Sequence, residues 1–288
     1  MNSASDASTV VPDRVLSPML RITPPSRWWV VPAAELWHAR ELVYFFVWRD
    51  IKVRYKQTAI GAAWAVMQPL LAMVVFTLFF GKLAHIPSEG LPYQVFVYAG
   101  LLPWMYFATS LQNATNTIVE NQRIITKVYF PRLALPLSAV LSGLVDFAIS
   151  FLIFAIMMVY YHIRPTIQIL WLPAFLLLGV LTALGVGLWL SALNAIYRDV
   201  RYVLPFLVQL WLFASPVIYP PSLMSEKWRW LFGLNPMAGV IEGFRWSLAG
   251  RGDAPGRLIL VSAGIVVVIL MSGLAYFQKI ETIMADVA

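Results

Sequence analysis

Residues 120–161 read ENQRIITKVYFPRLALPLSAVLSGLVDFAISFLIFAIMMVYY. The second part of this stretch decides the fold. From Leu135 to Tyr161 the chain is apolar but for a few small polar residues and one charge, Asp146. A helix rises about 1.5 Å per residue, so the run is long enough for the roughly 30 Å of hydrocarbon in a bilayer. The first part holds KVYFPR at 127–132: two cations, two aromatics, a branched aliphatic and a proline. So compact a hook between two membrane spans needs a reason.

Outward from this stretch the apolar pattern recurs. The spacing predicts six spans: Gly61–Leu83, Tyr93–Leu111, Leu135–Tyr161, Ile169–Leu193, Val203–Ile218 and Leu258–Phe277. The fifth is short and bounded by Pro205 and Pro216. Hydrophobic residues make up 60% of the 288 and charged ones 12%, against about a quarter charged in soluble domains. The expected class is an all-α integral membrane protein, because helices satisfy their own backbone groups in lipid. There is no cysteine, which excludes disulfides and thiolate sites. His38, His85 and His162 are far apart, so no metal is expected. The net charge of +7 reads as positive loops facing the cytoplasm rather than as a nucleic-acid surface. With both termini cytoplasmic, ten Lys and Arg flank the spans inside and seven lie outside. Residues 1–33 are rich in Pro, Ser and Thr and show no signal-peptide core; a flexible cytoplasmic tail is expected there.

Residues 34–56 predict a helix before the first span. At 100° per residue, Tyr44, Val47, Trp48, Ile51 and Tyr55 share a face, beside a stripe of Arg49, Lys52 and Lys56; Phe45 and Phe46 break the pattern. Aromatics and cations together suit the headgroup layer. The helix is either an anchor lying on the membrane or one that also touches lipid-linked substrate. Residues 215–257 are too aromatic for a free loop. They break at Asn235-Pro236, since the residue before proline leaves the α region. Two short helices follow, about Ser225–Leu234 and Met237–Leu248, suited to the interface or to dipping in and returning. Gly239 and Gly243 permit a close helix contact.

Several chemistries are missing. No G-x-x-x-x-G-K-[ST] phosphate loop occurs, nor H-E-x-x-H or G-x-S-x-G. Asp146 is the one acid expected within a span, where a centred charge costs about 2.5–3.5 kcal/mol to insert; a structural bond to Ser142 or Ser150 is the favoured expectation. Such a body has no engine of its own. An external one needs a cytoplasmic docking element, and the hook is a candidate. Pro131 ends the helix before it, leaving Ile124, Ile125, Val128, Tyr129 and Phe130 as an apolar knob rimmed by Arg123, Lys127 and Arg132. Such a knob either fills a protein groove or lies on the membrane; the residues alone leave both open.

Four stretches carry a resemblance. RDIKVRYKQTAIGAAWAVMQPLLAMVVFTLFFG, ENQRIITKVYFPRLALPLSAV, LNAIYRDVRYVLPFLVQLWLFASPVIYP and LNPMAG, in this order over residues 40–280, resemble the membrane subunit of type-2 ABC exporters. The nearest branch exports O-antigen, capsule or teichoic-acid polysaccharide. The resemblance implies a homodimer in the bacterial inner membrane, bound to two copies of a P-loop ATPase. ATP and Mg²⁺ would belong to that partner, and this chain would bind no cofactor and catalyse nothing itself. It further implies an interfacial gate helix at 34–60, a six-span transmembrane domain at 61–288, and a coupling helix with Asn121, Arg123, Lys127, Val128, Tyr129, Phe130 and Arg132. The loop Asn194–Val203 would line the inner mouth. A pair of re-entrant periplasmic gate helices would carry Trp228, Trp230, Phe232, Asn235, Pro236, Phe244 and Trp246.

Sugar chemistry fits this expectation. The C–H faces of pyranose rings pack on aromatic rings, and Trp64, Phe76, Tyr98, Trp104, Tyr106, Trp211 and Phe213 are the candidates to line a channel. Arg49, Lys52, Arg54 and Lys56 would attract the pyrophosphate of a polyprenyl-linked polysaccharide. Two other readings remain: export of a small molecule or lipooligosaccharide, and a membrane-embedded transferase acting on lipid-linked sugar.

Overall fold

A computed structural model describes residues 33–56, 61–223, 231–250 and 256–287. The proline-rich start lies outside the described residues, as do Trp228 and Trp230. Among the described residues the chain is helical and has no strand. The order is α1 (Ala33–His38), α2 (Arg40–Lys56), α3 (Gly61–Phe76), α4 (Tyr93–Glu120), α5 (Gln122–Ile125), α6 (Ala134–Tyr160), α7 (Leu172–Ile196), α8 (Val200–Ala214), α9 (Pro236–Ala249) and α10 (Gly256–Val287). The end of α3 widens into a π-helical turn, Thr77–Leu83, where the Ala84 amide donates to the Phe79 carbonyl at 2.9 Å.

Among the described residues, four helices are long and apolar enough to cross a membrane: Ala63–Leu83, Ala134–Tyr160, Ile167–Ile196 and Leu258–Glu281. The expected second and fifth spans differ from these in kind. Helix α4 has 28 residues but carries Gln94, Gln112, Asn113 and Asn116 along its length. It tolerates them because it is the central helix, packed on α3, α6, α7, α8 and α9. Helix α8 is apolar but has only 15 residues, about 22 Å of rise. It runs through Pro205 and stops at Ser215, which is extended (ψ 147°) ahead of Pro216, as a residue before proline prefers.

The structure accounts for the break in the α2 pattern. The pattern put Tyr44, Val47, Trp48, Ile51 and Tyr55 on the membrane-seeking side and treated Phe46 as a break. In the structure Val43 and Phe46 are the buried residues, and Tyr44 and Trp48 are exposed. The cause is tertiary. Helix α2 packs on α6, and that neighbour selects the Phe46 face whatever the average hydrophobicity of the other side.

The bundle is pinned where α9 enters it. Asn235 is extended, and its side-chain oxygen accepts from the Met237 amide at 3.0 Å, with Pro236 in the first turn. This is the arrangement expected of an N-cap followed by proline. The same Asn235 oxygen accepts from Trp211 Nε1 at 3.0 Å, and its amide donates to Ser215 Oγ at 2.9 Å, tying α9 to the end of α8. The two glycines of α9 meet different helices. A Cβ on Gly239 would lie 2.6 Å from Ser262 of α10, and one on Gly243 would lie 2.3 Å from the Phe175 ring of α7. The helix closes at Gly250, left-handed at φ 61°.

Arg245 of α9 sits in the core, 4% exposed. The sequence reading counted it among outer-loop cations. Its guanidinium donates to Glu242 at 2.8 Å, to the Phe96 carbonyl at 3.3 Å and to the Val217 carbonyl, and lies 3.7 Å over the Phe96 ring. It thus satisfies a carbonyl of the turn after α8 and joins that turn to α4. Removing one member of a buried, hydrogen-bonded pair costs about 3–5 kcal/mol. Arg245→Leu is expected to lower the thermal midpoint of the detergent-purified protein sharply. Gly264→Ala, where an added Cβ meets nothing within 4 Å, is the control expected to leave it unchanged.

Candidate functional site

Two features converge where α2 crosses α6. The first is the elbow between α4 and α6. Helix α4 ends at Asn121 (φ −99°, ψ 16°), and α5 adds a single turn. The chain then reverses through Lys127 and Val128, whose amides donate to the Ile124 carbonyl at 3.1 and 3.0 Å. It enters α6 after Pro131.

The elbow splits the expected knob in two. Val128 is 58% exposed and Tyr129 is 81% exposed, and Arg123 and Lys127 are exposed with them. Phe130 was expected to project as well. Instead it is buried, with its ring centroid 5.5 Å from that of Phe46 on α2. Its neighbours there are Ile118 of α4, Leu135 of α6 and Phe277 and Ile280 of α10. Arg132 does not rim a free knob either: its guanidinium donates to the Glu281 carbonyl, and its amide to Glu281 Oε1 at 3.3 Å. Ile124 and Ile125 are half-buried against the same cluster. Successive side chains around a proline-ended turn point in different directions, and only the structure says which way each turns.

Arg49 of α2 reaches into the elbow. It donates to Asn121 Oδ1 at 2.8 Å, holds Asp50 at 2.9 Å and lies over the Phe46 ring at 4.9 Å. Elbow and helix are therefore joined by a ring contact and a charged hydrogen bond. The basic stripe is accordingly not uniform. Arg49 is engaged by the elbow and Arg54 by Asp146, whereas Lys52, stacked over Trp48 at 4.1 Å, and Lys56 are exposed.

The second feature is a cavity of about 470 Å³ between α2, α3, α4 and α6. At one end Asp146 accepts from Arg54 through one carboxylate oxygen and from the Tyr55 hydroxyl through the other. The sequence expectation had paired Asp146 with Ser142 or Ser150. Those hydroxyls bond backbone instead, to Ala139 at 3.0 Å and Ala65 at 3.1 Å. Ser142 folds back on its own helix and Ser150 reaches α3, while a carboxylate at this depth needs a charge, and α2 supplies it from 92 residues upstream. Burial pushes the Tyr55 phenol above the ordinary tyrosine range, and the hydrogen bond to Asp146 adds to this. The phenol stays protonated and donates. Gln68, Thr109, Asn113 and Ser150 also line the cavity, as do the rings of Trp64, Tyr106 and Phe147.

A family model described as "ABC-2 type transporter" matches residues 41–249. The chain belongs to the ABC-2 type transporter family. It is 30% identical over 247 residues to the O-antigen export system permease protein RfbA of Myxococcus xanthus, covering 85% of this chain and 94% of that one. It is 29% identical over 241 residues to RfbA of Klebsiella pneumoniae, covering 83% and 92%. The polysialic acid transport protein KpsM of Escherichia coli is 24% identical over 241 residues, covering 82% and 92%. The match runs from the start of α2 to the end of α9. Elbow and cavity both lie inside it.

Within this ABC-2 transporter chain the expected channel aromatics fall into three groups. Trp64 and Tyr106 meet at the cavity. Tyr98 and Trp104 are buried within the chain, Tyr98 stacked on Phe154 at 6.0 Å, and Trp211 packs on Phe107 at 5.0 Å. Phe213 is exposed on α8, and Phe76 packs on Phe80 at 5.9 Å. Tyr98 and Trp104 turn inward because α4 is surrounded. Among the expected gate residues, Phe232 and Phe244 are buried, Trp246 packs edge-on to Phe175 at 6.5 Å, and Asn235 and Pro236 form the α9 start. The contacts that sequence reasoning missed are Phe46, Arg54 and Tyr55. Their signal was present only in the two aromatics that broke the helical pattern and in a cation counted as lipid-facing.

Two outcomes are expected. Phe130→Ala removes a buried ring at a cost of about 3 kcal/mol and lowers the thermal midpoint, whereas Tyr129→Ala leaves it unchanged. Asp146→Asn releases α2, raising hydrogen exchange of the amides at 49–56 while α9 exchanges as before.

Proposed function

We propose that this chain is the membrane-spanning half of an exporter that carries a polyprenyl-pyrophosphate-linked, O-antigen-like polysaccharide across the bacterial inner membrane, driven by a separate ATPase. One observation carries the mechanical part: the elbow presents Val128 and Tyr129 outward while its next residue, Phe130, is locked onto α2. An aromatic tip on a short, charged rim suits a groove in a partner protein. The RfbA and KpsM relatives, by their names, support the class of substrate. The sequence has no phosphate loop of its own, and in this reading ATP and Mg²⁺ belong to the partner.

In this reading six helices span the membrane, α4 and α8 among them, with both ends of the chain cytoplasmic. Helices α3 and α8 are sparsely covered by the rest of the chain: Trp64, Leu71 and Phe79 on one and Phe206, Leu210 and Phe213 on the other are exposed. A second copy covers them, and the conduit runs between the two. Closure of two ATPase subunits on ATP pushes both elbows. Each push reaches α2 through Phe130–Phe46 and Asn121–Arg49 and shifts it as the interfacial gate. The exposed Lys52 and Lys56 meet the lipid pyrophosphate by charge. Helix α9 and the segment before it, dipping in from the far side, close the outer end.

Tyr129→Ala tests this reading. Truncating a docking aromatic costs about 2 kcal/mol, roughly a thirtyfold loss of affinity. The expected result is loss of the co-purifying P-loop protein and of surface polysaccharide at an unchanged level of chain in the membrane. Undiminished surface polysaccharide in this variant overturns the docking role of the elbow.

A further inference from the structure

Three polar side chains in the cavity between α2, α3, α4 and α6 have no structural task among the described residues. Gln68, Thr109 and Asn113 show no hydrogen bond to any described residue, yet they converge on one space of about 470 Å³ with Asp146 at its end. These helices cross the membrane, where an amide facing hydrocarbon is costly. A lipid tail is thus a poor occupant. An anion is a poor one too, because Asp146 takes up the charge of Arg54. Asp146 accepts one bond at each oxygen, which leaves a further lone pair on each for a hydroxyl. Trp64 and Tyr106 supply flat apolar walls. The Tyr106 hydroxyl donates to the Val140 carbonyl at 3.2 Å, which fixes that ring in place.

We propose that this cavity is a subsite for a neutral sugar ring, held by its hydroxyls on Gln68, Thr109, Asn113 and Asp146 and by its C–H face on Trp64 and Tyr106. The volume falls within the range of small-molecule sites. Because Arg54 of α2 lines the site and Tyr55 of α2 bonds its carboxylate, movement of α2 alters the carboxylate that the sugar binds. A ring is gripped while α2 is docked and loosened when it shifts. The inference rests on the polysaccharide-export reading above and adds a resting place for the chain within each protomer.

The test uses the full chain in its native membrane, with the photo-crosslinker p-benzoylphenylalanine placed at Gln68, at Thr109, or at Leu152, which is exposed elsewhere on α6. After illumination and purification, a periodate-stained carbohydrate adduct is expected from positions 68 and 109 and none from 152. Adducts of lipid alone, or of a second copy of the chain alone, at positions 68 and 109 overturn the proposal. In parallel, Gln68→Leu and Asn113→Leu are each expected to lower surface polysaccharide about fivefold, the worth of one hydrogen bond, at unchanged membrane level; full export in both also overturns it. Deleting the chain separates the two readings. If deletion leaves surface polysaccharide intact, the export reading fails; if it abolishes the polysaccharide while positions 68 and 109 capture no carbohydrate, the subsite alone fails.

Discussion

A polar group at membrane depth has no water to turn to, so the protein must supply its partner. The internal order of this chain follows from that constraint. Asp146 draws α2 onto α6 through Arg54 and Tyr55. Arg245 gathers the carbonyls of Phe96 and Val217 beside Glu242. Asn194, at the end of α7, donates to the Thr115 carbonyl of α4 at 2.9 Å. Each contact joins helices that are far apart in sequence. Lipid tails are as apolar as leucine, so hydrophobicity alone gives such helices little reason to choose one neighbour over another. The polar pins and the close approach of α9 to its neighbours provide the choice.

The long apolar helices were legible because a bilayer asks for one simple thing, about twenty apolar residues in a row. The same signal is weak for α4, whose amides and aromatics are shielded by other helices, and for α8, which is short. The break at Asn235-Pro236 was legible too, since proline chemistry is local. Partners were not. Nothing near Asp146 in sequence points to Arg54, and nothing in KVYFPR says that Phe130 turns in while Tyr129 turns out. The α2 pattern left Phe46 without a role for a related reason: a hydrophobic average cannot tell a ring that meets another ring from one that meets headgroups. Of the candidate site, the elbow's position was readable and its division of labour was not.

Helices α3 and α8 expose apolar faces that the rest of the chain does not cover, while α4 and α9 are nearly enclosed. This contrast divides the chain into an enclosed body and elements at its margin. Helix α2 lies at the margin as well, held to α6 and the elbow by buried Val43 and Phe46, by the Arg49–Asn121 bond and by the bonds of Arg54 and Tyr55 to Asp146. In the export reading proposed above, it is the element that moves.

The bond from Arg132 to Glu281 has a consequence at the other end of the chain. It fastens the elbow to the last turns of α10. If the elbow moves as the export reading proposes, the carboxyl-terminal end is a pointer needle fixed to it, and a tag fused there would load that joint.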